Sequence, residues 1–472
     1  MTNFYKKHIA IVWIAIVSLM SISCSDDENS VVTEASFVVA FESLSSNLGT
    51  INTSQEIAFV YSQTATESGN VTLLVETVNA TYGEDFTTNP PLEGVNITVP
   101  ILQGANGSSF TFNKVNQNLD ETVEISFNIV SVSYPNSQIQ GNTTHTLNSE
   151  ASLGRGFEPE VGGPNQPNQV YIDLSTEEQT QVKRDTWDLG FYGGDDFRVG
   201  INGSIYMAAA EIDNTNIDAV TEADVASIQD QVAVGTFDPT NEVYIDNPDG
   251  DITKTAIASI SANDADNNVY LINQGFEVGS ETPAPGSVAV AGDARGWKKI
   301  RVLRQENGYL LQYADLNQSS HQEVVISKDS AFNFTFFSFN TNTTLPVEPQ
   351  AENWDINFTV FTNILEGAGS YGFSDGVLHN RKGGVEIYTV NTDAIAYDNF
   401  NENSIVETNF VLDQRVIGSS WREVINDDKV LIDTIYYIIR DPNNNIYKLK
   451  FTALLNDSGD RGFPEFKYNL VR

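Results

Sequence analysis

The sequence predicts an all-β protein. Short stretches that alternate apolar and polar residues recur along the chain, for example at residues 56–61 and 123–129, and such alternation is typical of half-buried strands. Asn, Gly, Asp and Pro interrupt these stretches, as expected for turns between antiparallel strands. Helical periodicity is nearly absent. The one helix that we expect lies near residues 221–232, where Thr221 can cap the first turn.

The composition excludes several classes of protein. The chain has 472 residues, with 63 acidic and 25 basic side chains and a formal net charge of -38. This charge argues against nucleic-acid binding, which needs a basic surface, and against attachment to an anionic lipid surface by charge alone. Hydrophobic residues make up 40% of the chain, which suffices for two or three folded domains. The single cysteine excludes an intramolecular disulfide and a cysteine-rich zinc or iron–sulfur site.

The N-terminus predicts a lipoprotein signal peptide over residues 1–23. Lys6 and Lys7 precede an apolar run at residues 9–20, which is too short for a comfortable membrane span, and small residues follow it. The only cysteine, Cys24, comes directly after them. Its position resembles a bacterial lipobox, in which the thiol is acylated and becomes the first residue of the mature chain. An ordinary signal peptide with an incidental cysteine is the alternative.

Residues 24–35 are expected to form a tether. Ser25 and three acidic residues at 26–28 follow Cys24 and resemble the export signal of Bacteroidetes lipoproteins on the outer face of the outer membrane. A solvated tether without this signal is the alternative. Loss of the signal peptide removes two lysines and no acid, which changes the net charge from -38 to -40. The expected product is a cell-surface protein that acyl chains on Cys24 anchor in the outer membrane.

Residues 36–152 are expected to form the first β domain. The stretches TYGEDF at 81–86 and LDETVEISF at 119–127 resemble two hallmark segments of Calx-beta domains, which implies an immunoglobulin-like sandwich. Some Calx-beta domains bind Ca²⁺, and this domain offers carboxylate oxygens at Glu84, Asp85, Asp120 and Glu121. Because Ca²⁺ needs about six to eight converging oxygens, and because strand-end acids often cap turns, a spacer sandwich without calcium is the alternative.

The remaining chain contains an internal repeat. Residues 153–169 are rich in Gly and Pro, with little apolar content, and predict a linker. Beyond them, each of two expected units, 170–322 and 323–472, contains an aromatic-rich strand that leads to a Trp-Asp pair. These pairs are Trp187-Asp188 and Trp354-Asp355. Each unit also contains a predicted β-hairpin, at residues 304–316 and 440–454. One β core shared by both units and two separate domains are both compatible with this pattern.

By residue type alone, the two Trp-Asp pairs are expected to be structural. A Trp at the end of an aromatic strand buries a large surface. The Asp that follows can accept a hydrogen bond from a backbone N–H in the turn that it opens.

Three segments together resemble the HmuY family. They are NWDINFT at 353–359, RKGGV at 381–385, and a terminal hairpin over residues 436–451. The resemblance runs from about residue 168 to the C-terminus. Members are all-β surface lipoproteins of Bacteroidetes that bind haem and pass it to a TonB-dependent outer-membrane receptor. The resemblance therefore implies capture of haem or a related tetrapyrrole for iron acquisition, with haem and such a receptor as partners.

The sequence offers few candidate ligands for haem iron. Family members offer a His or Met pair around a late Trp, but the chain has neither residue between Val385 and Trp421, nor just after Trp421. His379 and Met207 remain as candidate haem-binding residues. His379 lies beside Arg381 and a lysine that could face the haem propionates. A loop histidine without function and a methionine that fills the core are the alternatives.

The sequence predicts a binding protein and not an enzyme. It contains no Gly-x-Ser-x-Gly elbow, no phosphate-binding loop and no His-Glu-x-x-His motif. The leading prediction is a cell-surface lipoprotein of the HmuY type that captures haem. The alternative is a non-haem adhesion or glycan-binding surface lipoprotein that retains the fold.

Overall fold

The computed structural model describes residues 36–48, 51–117, 119, 122–148, 153–424 and 430–472. The predicted signal peptide, Cys24 and the tether lie outside the described residues, as do the candidate calcium ligands Asp120 and Glu121. The described chain is built almost entirely of strands joined by turns and short 3₁₀-helices, so the predicted all-β fold is confirmed. The described part contains no helix with the length and apolarity that crossing a bilayer requires.

The N-terminal region consists of ten strands. They are β1 (Phe37–Phe41), β2 (Ser45–Asn47), β3 (Ser54–Tyr61), β4 (Gly69–Val78), β5 (Phe86–Asn89), β6 (Asn96–Ile101), β7 (Gly107–Lys114), β8 (Glu124–Ser133), β9 (Ser137–Ile139) and β10 (Thr144–Asn148). They form two five-stranded sheets, ordered β5-β7-β3-β1-β9 and β2-β10-β8-β4-β6.

The two N-terminal sheets enclose one apolar core. Alternate residues of each strand are buried: Ile57 and Phe59 on β3, for example, and Ile125 and Phe127 on β8. This period of two is what a sheet with one buried face produces. The predicted immunoglobulin-like sandwich is therefore present in the structure.

The C-terminal region contains twenty-two described strands. Those of the first unit and the segment before it are β11 (Gly156–Phe157), β12 (Asn168–Ile172), β13 (Gln179–Lys183), β14 (Leu189–Tyr192), β15 (Val199–Ile201), β16 (Ala208–Ile212), β17 (Val269–Asn273), β18 (Phe276–Val278), β19 (Ala291–Ala294), β20 (Trp297–Gln305), β21 (Gly308–Asp315) and β22 (Gln322–Ser327). Those of the second unit are β23 (Phe334–Ser338), β24 (Thr343–Leu345), β25 (Ile356–Leu365), β26 (Gly369–His379), β27 (Glu386–Asn391), β28 (Arg422–Glu423), β29 (Val430–Leu431), β30 (Ile435–Arg440), β31 (Ile446–Leu455) and β32 (Arg461–Leu470).

Helical structure in the described chain is confined to segments of one or two turns. The 3₁₀-helices are Gly163–Asn165, Gly203–Ile205, Ile217–Ala219, Gln229–Gln231, Pro239–Tyr244, Ile252–Lys254, Asp264–Asp266, Tyr397–Asn399, Glu402–Ser404 and Glu407–Asn409. The helix expected near residues 221–232 is the single turn α1 (Glu222–Val225). The carboxylate of Asp224 accepts hydrogen bonds from the N–H and the hydroxyl of Thr221, both at 2.7 Å. Val225 is the only buried residue of this turn, so no apolar stripe extends the helix.

The two units exchange strands at their centre. One sheet has the order β13-β12-β25-β26 and the other β15-β14-β23-β24. The strand before each Trp-Asp pair is therefore hydrogen-bonded to the strand that follows the other pair. β12 pairs with β25, with Val170 opposite Phe358, and β14 pairs with β23, with Gly190 opposite Phe336. The duplication is visible in this reciprocal pairing.

Each unit adds an outer sheet to this centre. The sheets are ordered β16-β17-β20-β21-β22 and β11-β32-β31-β30-β27. Both predicted hairpins are present, because β20 pairs with β21 and β30 pairs with β31, each in antiparallel register. Two small sheets, β18-β19 and β28-β29, complete the described topology.

The segment predicted as a linker touches both regions. Its strand β11 joins β32, and the rings of Phe157 and Phe466 stack at 5.5 Å. Towards the sandwich, Leu153 donates its N–H to the hydroxyl of Ser45 at 2.6 Å, and Arg155 lies 3.5 Å from the carboxylate of Glu42. Residues 153–157 are thus held by side-chain and backbone contacts on two sides.

Candidate functional site

The first Trp-Asp pair, here called the first corner, joins the two units. Asp188 donates its N–H to the carbonyl of Phe337 at 2.9 Å. Its carboxylate accepts the N–H of Phe339 at 2.6 Å. Trp187 meets the ring of Phe336 edge to face, with centroids 4.7 Å apart. One residue of the first unit therefore holds the end of β23 from the second.

The second Trp-Asp pair, the second corner, repeats these contacts in the opposite direction. Asp355 donates its N–H to the carbonyl of Ile172 at 2.8 Å, and its carboxylate accepts the N–H of Leu174 at 2.8 Å. Trp354 meets the ring of Tyr171 edge to face at 5.0 Å. The prediction that each Asp accepts a backbone N–H agrees with this geometry.

Two asparagines that sequence reasoning missed close the corners. Asn202 donates through its side-chain amide to the carbonyls of Arg184 and Trp187, at 2.7 and 2.8 Å. Asn380 donates in the same way to Ala351 and Trp354, at 2.7 and 2.9 Å. The two asparagines lie at different distances along the chain from their tryptophans, so a comparison at fixed spacing could not reveal them.

The carboxylate of the first corner has a counterion. Arg295 lies 2.6 Å from Asp188, and the two side chains are 4% and 0% exposed. Burial raises the pKa of Asp188, and the adjacent guanidinium opposes that rise. A contact this short between a guanidinium and a carboxylate is a charge-assisted hydrogen bond.

The carboxylate of the second corner has no counterion among the described residues. Burial raises the pKa of Asp355 well above its usual value, and the nearby carboxylates of Asp173 and Asp441 raise it further. The hydrogen bond from the N–H of Leu174 opposes the rise only in part. A carboxyl in this environment favours its protonated, neutral form.

The indole groups of the two tryptophans also differ in whether they have a partner. Trp187 donates its Nε1–H to the Oε1 of Gln169 at 2.8 Å, and both groups are buried. The Nε1 of Trp354 is buried without a hydrogen-bond partner. Ile172 and Phe337 occupy equivalent positions, because each accepts the N–H of the Asp in one corner. Three residues before them, the equivalent positions hold Gln169 and Phe334. A phenyl ring cannot accept the hydrogen bond that Gln169 accepts.

A cavity of about 200 Å³, here called the corner cavity, lies between the two corners. Trp187 and Trp354 both line it, and so do the two candidate haem-binding residues, His379 and Met207. The structure therefore brings together two side chains that lie far apart in the sequence, on the wall of one cavity.

His379 is the last residue of β26 and is only 1% exposed, whereas the sequence suggested a glycine-flanked loop. Neither ring nitrogen has a partner in good hydrogen-bond geometry. Burial lowers the pKa of His379 to about 3, while Asp413 and the Leu412 backbone oppose that fall. The ring is therefore neutral at neutral pH, with one nitrogen lone pair available.

Met207 follows the 3₁₀-helix Gly203–Ile205 and precedes β16. Its side chain is fully buried in an apolar cluster with residues such as Leu189 and Ile272. A core role is thus evident, while the cavity still reaches one side of the residue.

The basic neighbours of His379 already face acids. Arg381 lies 3.7 Å from the carboxylates of Asp249 and Asp251. Lys382 lies 5.3 Å from the centre of the Phe334 ring, and burial lowers the pKa of its ammonium.

Two acids near Lys382 have shifted pKa values. Burial raises the pKa of Glu348 to about 8 and that of Asp246 to about 6. At neutral pH Glu348 is therefore mainly protonated and neutral, whereas Asp246 is mainly ionised.

The candidate calcium ligands do not form a site among the described residues. Asp85 accepts hydrogen bonds from the N–H of Thr81 at 2.8 Å and from the amide of Asn116 at 2.9 Å, and these bonds lower its pKa. Glu84 is exposed beside it. In the described ranges, no group of three or more His, Cys, Asp or Glu could hold a metal ion. Calcium binding stays a prediction, since the other two candidates, Asp120 and Glu121, lie outside those ranges.

The other two histidines of the described chain have partners. His145 contacts the hydroxyls of Ser43 and Ser46, and burial lowers its pKa to about 4. His321 lies 2.9 Å from Asp218 and 3.3 Å from Glu323, and these hydrogen bonds raise its pKa. Unlike His379, neither residue leaves a ring nitrogen without a partner.

Comparison with known proteins finds one family for the C-terminal region. A family model described as HmuY protein matches residues 165–325 and again residues 330–468. No curated protein matches the chain. Among solved structures, a chain described as "Crystal structure of Apo-form Calx CBD1 domain" is 12% identical, with a TM-score of 0.20, and the match covers 24% of this chain and 97% of that chain.

Proposed function

The chain belongs to the HmuY family, and on this premise we propose that it captures haem or a related tetrapyrrole at the cell surface. The family is one of binding proteins of the haem-binding type, so its members carry ligands and do not catalyse reactions. The observation that carries the proposal is His379, a residue that lines the corner cavity and has a buried neutral imidazole without a hydrogen-bond partner in good geometry.

The chemistry of His379 suits an iron ligand. Haem iron in proteins takes His, Met, Cys or Tyr as axial ligands. A histidine with a pKa of about 3 needs no deprotonation at neutral pH before it binds a metal. Met207 lines the same cavity and is the second residue that would hold the haem iron.

The size of the cavity sets a condition on this proposal. A cavity of about 200 Å³ lies below the roughly 300–1,000 Å³ of sites for drug-sized ligands. A tetrapyrrole has four pyrrole rings and cannot be enclosed there as the walls stand. Haem binding therefore requires an opening of the cavity, in which Arg381 and Lys382 would exchange their acidic neighbours for the haem propionates.

The wider organisation is part of the proposal. We propose that Cys24 is acylated and anchors the chain in the outer membrane, with residues 24–35 as a tether. Residues 36–152 would act as a spacer and residues 153–169 as a linker. The two units, 170–322 and 323–472, would then present the ligand to a TonB-dependent receptor. The N-terminal sandwich supports the role of residues 36–152 as a spacer.

Titration of the purified full chain with haemin, followed at the Soret band, tests the proposal. We expect a saturable Soret shift at micromolar haemin and its loss in His379→Ala. The control is His321→Ala, because His321 lies outside the cavity and pairs with Asp218 and Glu323. Absence of a saturable shift would refute haem capture. A shift that survives His379→Ala would refute this residue as the ligand.

A second candidate function is adhesion or glycan binding without haem. It is supported by the size of the cavity, and by unpartnered hydrogen-bonding groups on residues that line it, Trp354 and Asn357. Ligands with several hydroxyl groups satisfy such groups, whereas the carbon framework of a tetrapyrrole does not.

A further inference from the structure

We propose that the corner cavity, at its present size, binds one compact, uncharged ring that carries hydroxyl groups, such as a single monosaccharide unit. The inference deepens the second candidate function and does not depend on haem binding. The ring would sit beside the second corner, between the indole of Trp354 and the amide of Asn357.

The size of the cavity fits a single ring. A protein cavity of roughly 150 Å³ is known to hold a benzene molecule. The corner cavity has about 200 Å³. The additional volume leaves room for the hydroxyl substituents of one six-membered ring. A disaccharide would place its second ring outside the cavity. A free monosaccharide and the terminal sugar of a glycan chain would therefore offer the cavity the same single ring.

The walls combine apolar faces with a few polar groups, as ligand sites do. The rings of Tyr171, Trp187, Phe336 and Trp354 line the cavity in two edge-to-face pairs. The carbon-bound hydrogens of a sugar ring form an apolar face that can pack against such rings.

Unpartnered polar atoms are concentrated at this cavity. Eleven buried side-chain nitrogen and oxygen atoms among the described residues lack a hydrogen-bond partner, and four of them belong to three residues that line the cavity. These atoms are the Nε1 of Trp354, the Oδ1 of Asn357, and both ring nitrogens of His379. Buried polar groups in folded proteins nearly always have partners, so the concentration of exceptions needs an explanation.

A hydroxylated ring supplies the partners that Trp354 and Asn357 lack. The indole N–H only donates and the amide oxygen only accepts. A hydroxyl group both donates and accepts, so neighbouring hydroxyls on one ring can serve both side chains. The four atoms are covered in the wall, so we expect small side-chain rotations as the ligand enters.

The charges around the cavity favour an uncharged ligand. Lys382 is attracted to the carboxylate of Asp246, and Arg381 is paired with Asp249 and Asp251. An anion would have to displace these acids from their cations, and a cation would meet Lys382. A neutral ligand disturbs none of the pairs.

Isothermal titration of the full chain with D-glucose, D-galactose and N-acetyl-D-glucosamine tests the inference. We expect saturable binding of at least one ring sugar at millimolar concentrations, and none of sorbitol, which has hydroxyls but no ring. Trp354→Phe keeps the aromatic wall and removes the donor, and should weaken binding about threefold to tenfold, the effect of one neutral hydrogen bond. Asn357→Leu, a second variant, should weaken it similarly.

The matched control is Trp297→Phe, the same change at a tryptophan that does not line the cavity. It should bind the sugar like the parent, and thermal melting identifies any variant that fails to fold. The inference is overturned if no ring sugar binds, or if folded Trp354→Phe and Asn357→Leu both bind like the parent. Sugar binding is measured without haemin, so its failure leaves the Soret titration unaffected, and a failed Soret titration leaves the sugar result standing.

Discussion

The two Trp-Asp corners have the same backbone framework but differ in the partners of the Asp carboxylate and the Trp indole. In each corner the Asp links the two units through a backbone N–H, and an Asn closes the turn. At the first corner, Arg295 pairs with Asp188 and Gln169 accepts from Trp187. At the second, neither Asp355 nor the indole of Trp354 has the equivalent partner.

The difference separates what the fold needs from what a ligand needs. The contacts common to both corners connect the exchanged strands, so they belong to the fold. Partners present only at the first corner stabilise it internally. The second corner, next to His379 and the cavity, retains polar groups without a hydrogen-bond partner. Such groups do not stabilise the fold, so a role in ligand binding is the better explanation for them.

Removal of the charge at each Asp should give the largest contrast. Asp188→Asn leaves Arg295 buried without a counterion, which should lower the free energy of unfolding by about 3–5 kcal/mol. Asp355→Asn should change it little, because an amide resembles the neutral carboxyl that the raised pKa of Asp355 favours. Chemical denaturation at neutral pH measures both variants. Equal losses would contradict the difference in charge state.

Acidification should affect the second corner through His379. The pKa of His379 is about 3 in the folded protein and about 6.5 in the unfolded chain, so the unfolded state takes up the proton first as the pH falls. Stability from this group is complete above pH 6.5 and declines towards pH 3, with a loss of about 2 kcal/mol between pH 7 and pH 5.

Denaturation midpoints of the parent and His379→Leu at both pH values measure this loss. The parent should lose more stability than the variant, because the leucine cannot titrate and other groups contribute equally to both. His145→Leu, in the sandwich, provides a comparison with a histidine whose nitrogens have partners. Parallel pH profiles for the parent and His379→Leu would contradict a buried neutral imidazole.

Replacement of each Trp by Phe should give the smallest contrast. Both variants lose part of a buried ring, but only Trp187→Phe leaves an acceptor, the Oε1 of Gln169, without its donor. Trp187→Phe should therefore cost about 1 kcal/mol more than Trp354→Phe, the net value of one buried hydrogen bond. Thermal or chemical unfolding of the two variants measures the difference. A larger loss for Trp354→Phe would indicate that its indole has a partner after all.

Much of the fold followed from local sequence pattern. Alternation of apolar and polar residues gave the all-β class and the two hairpins, because a period of two is set by the strand itself. The helix near Thr221 was overestimated, since one buried valine cannot support more than a turn.

The site was less accessible to the sequence. The exchange of strands between units, which places Trp187 beside Trp354, is a long-range pairing that no local pattern reveals. His379 and Met207 were proposed because few other ligands exist, and the cavity they share depends on that exchange. Both corners have the same Trp-Asp sequence, so the motif itself does not show that the indole of Trp354 lacks a partner. Only the structure shows that Phe334 occupies the position of the acceptor Gln169.

The central claim is that ligand enters at the second corner, and the indole N–H spectrum tests it most directly. The chain has five tryptophans, so these NMR signals are few, and Trp354→Phe assigns one of them by its absence. On addition of saturating haemin, the account predicts that the Trp354 signal shifts or broadens while that of Trp297, outside the cavity, stays in place. Saturation of the Soret band with an unchanged Trp354 signal would contradict the claim.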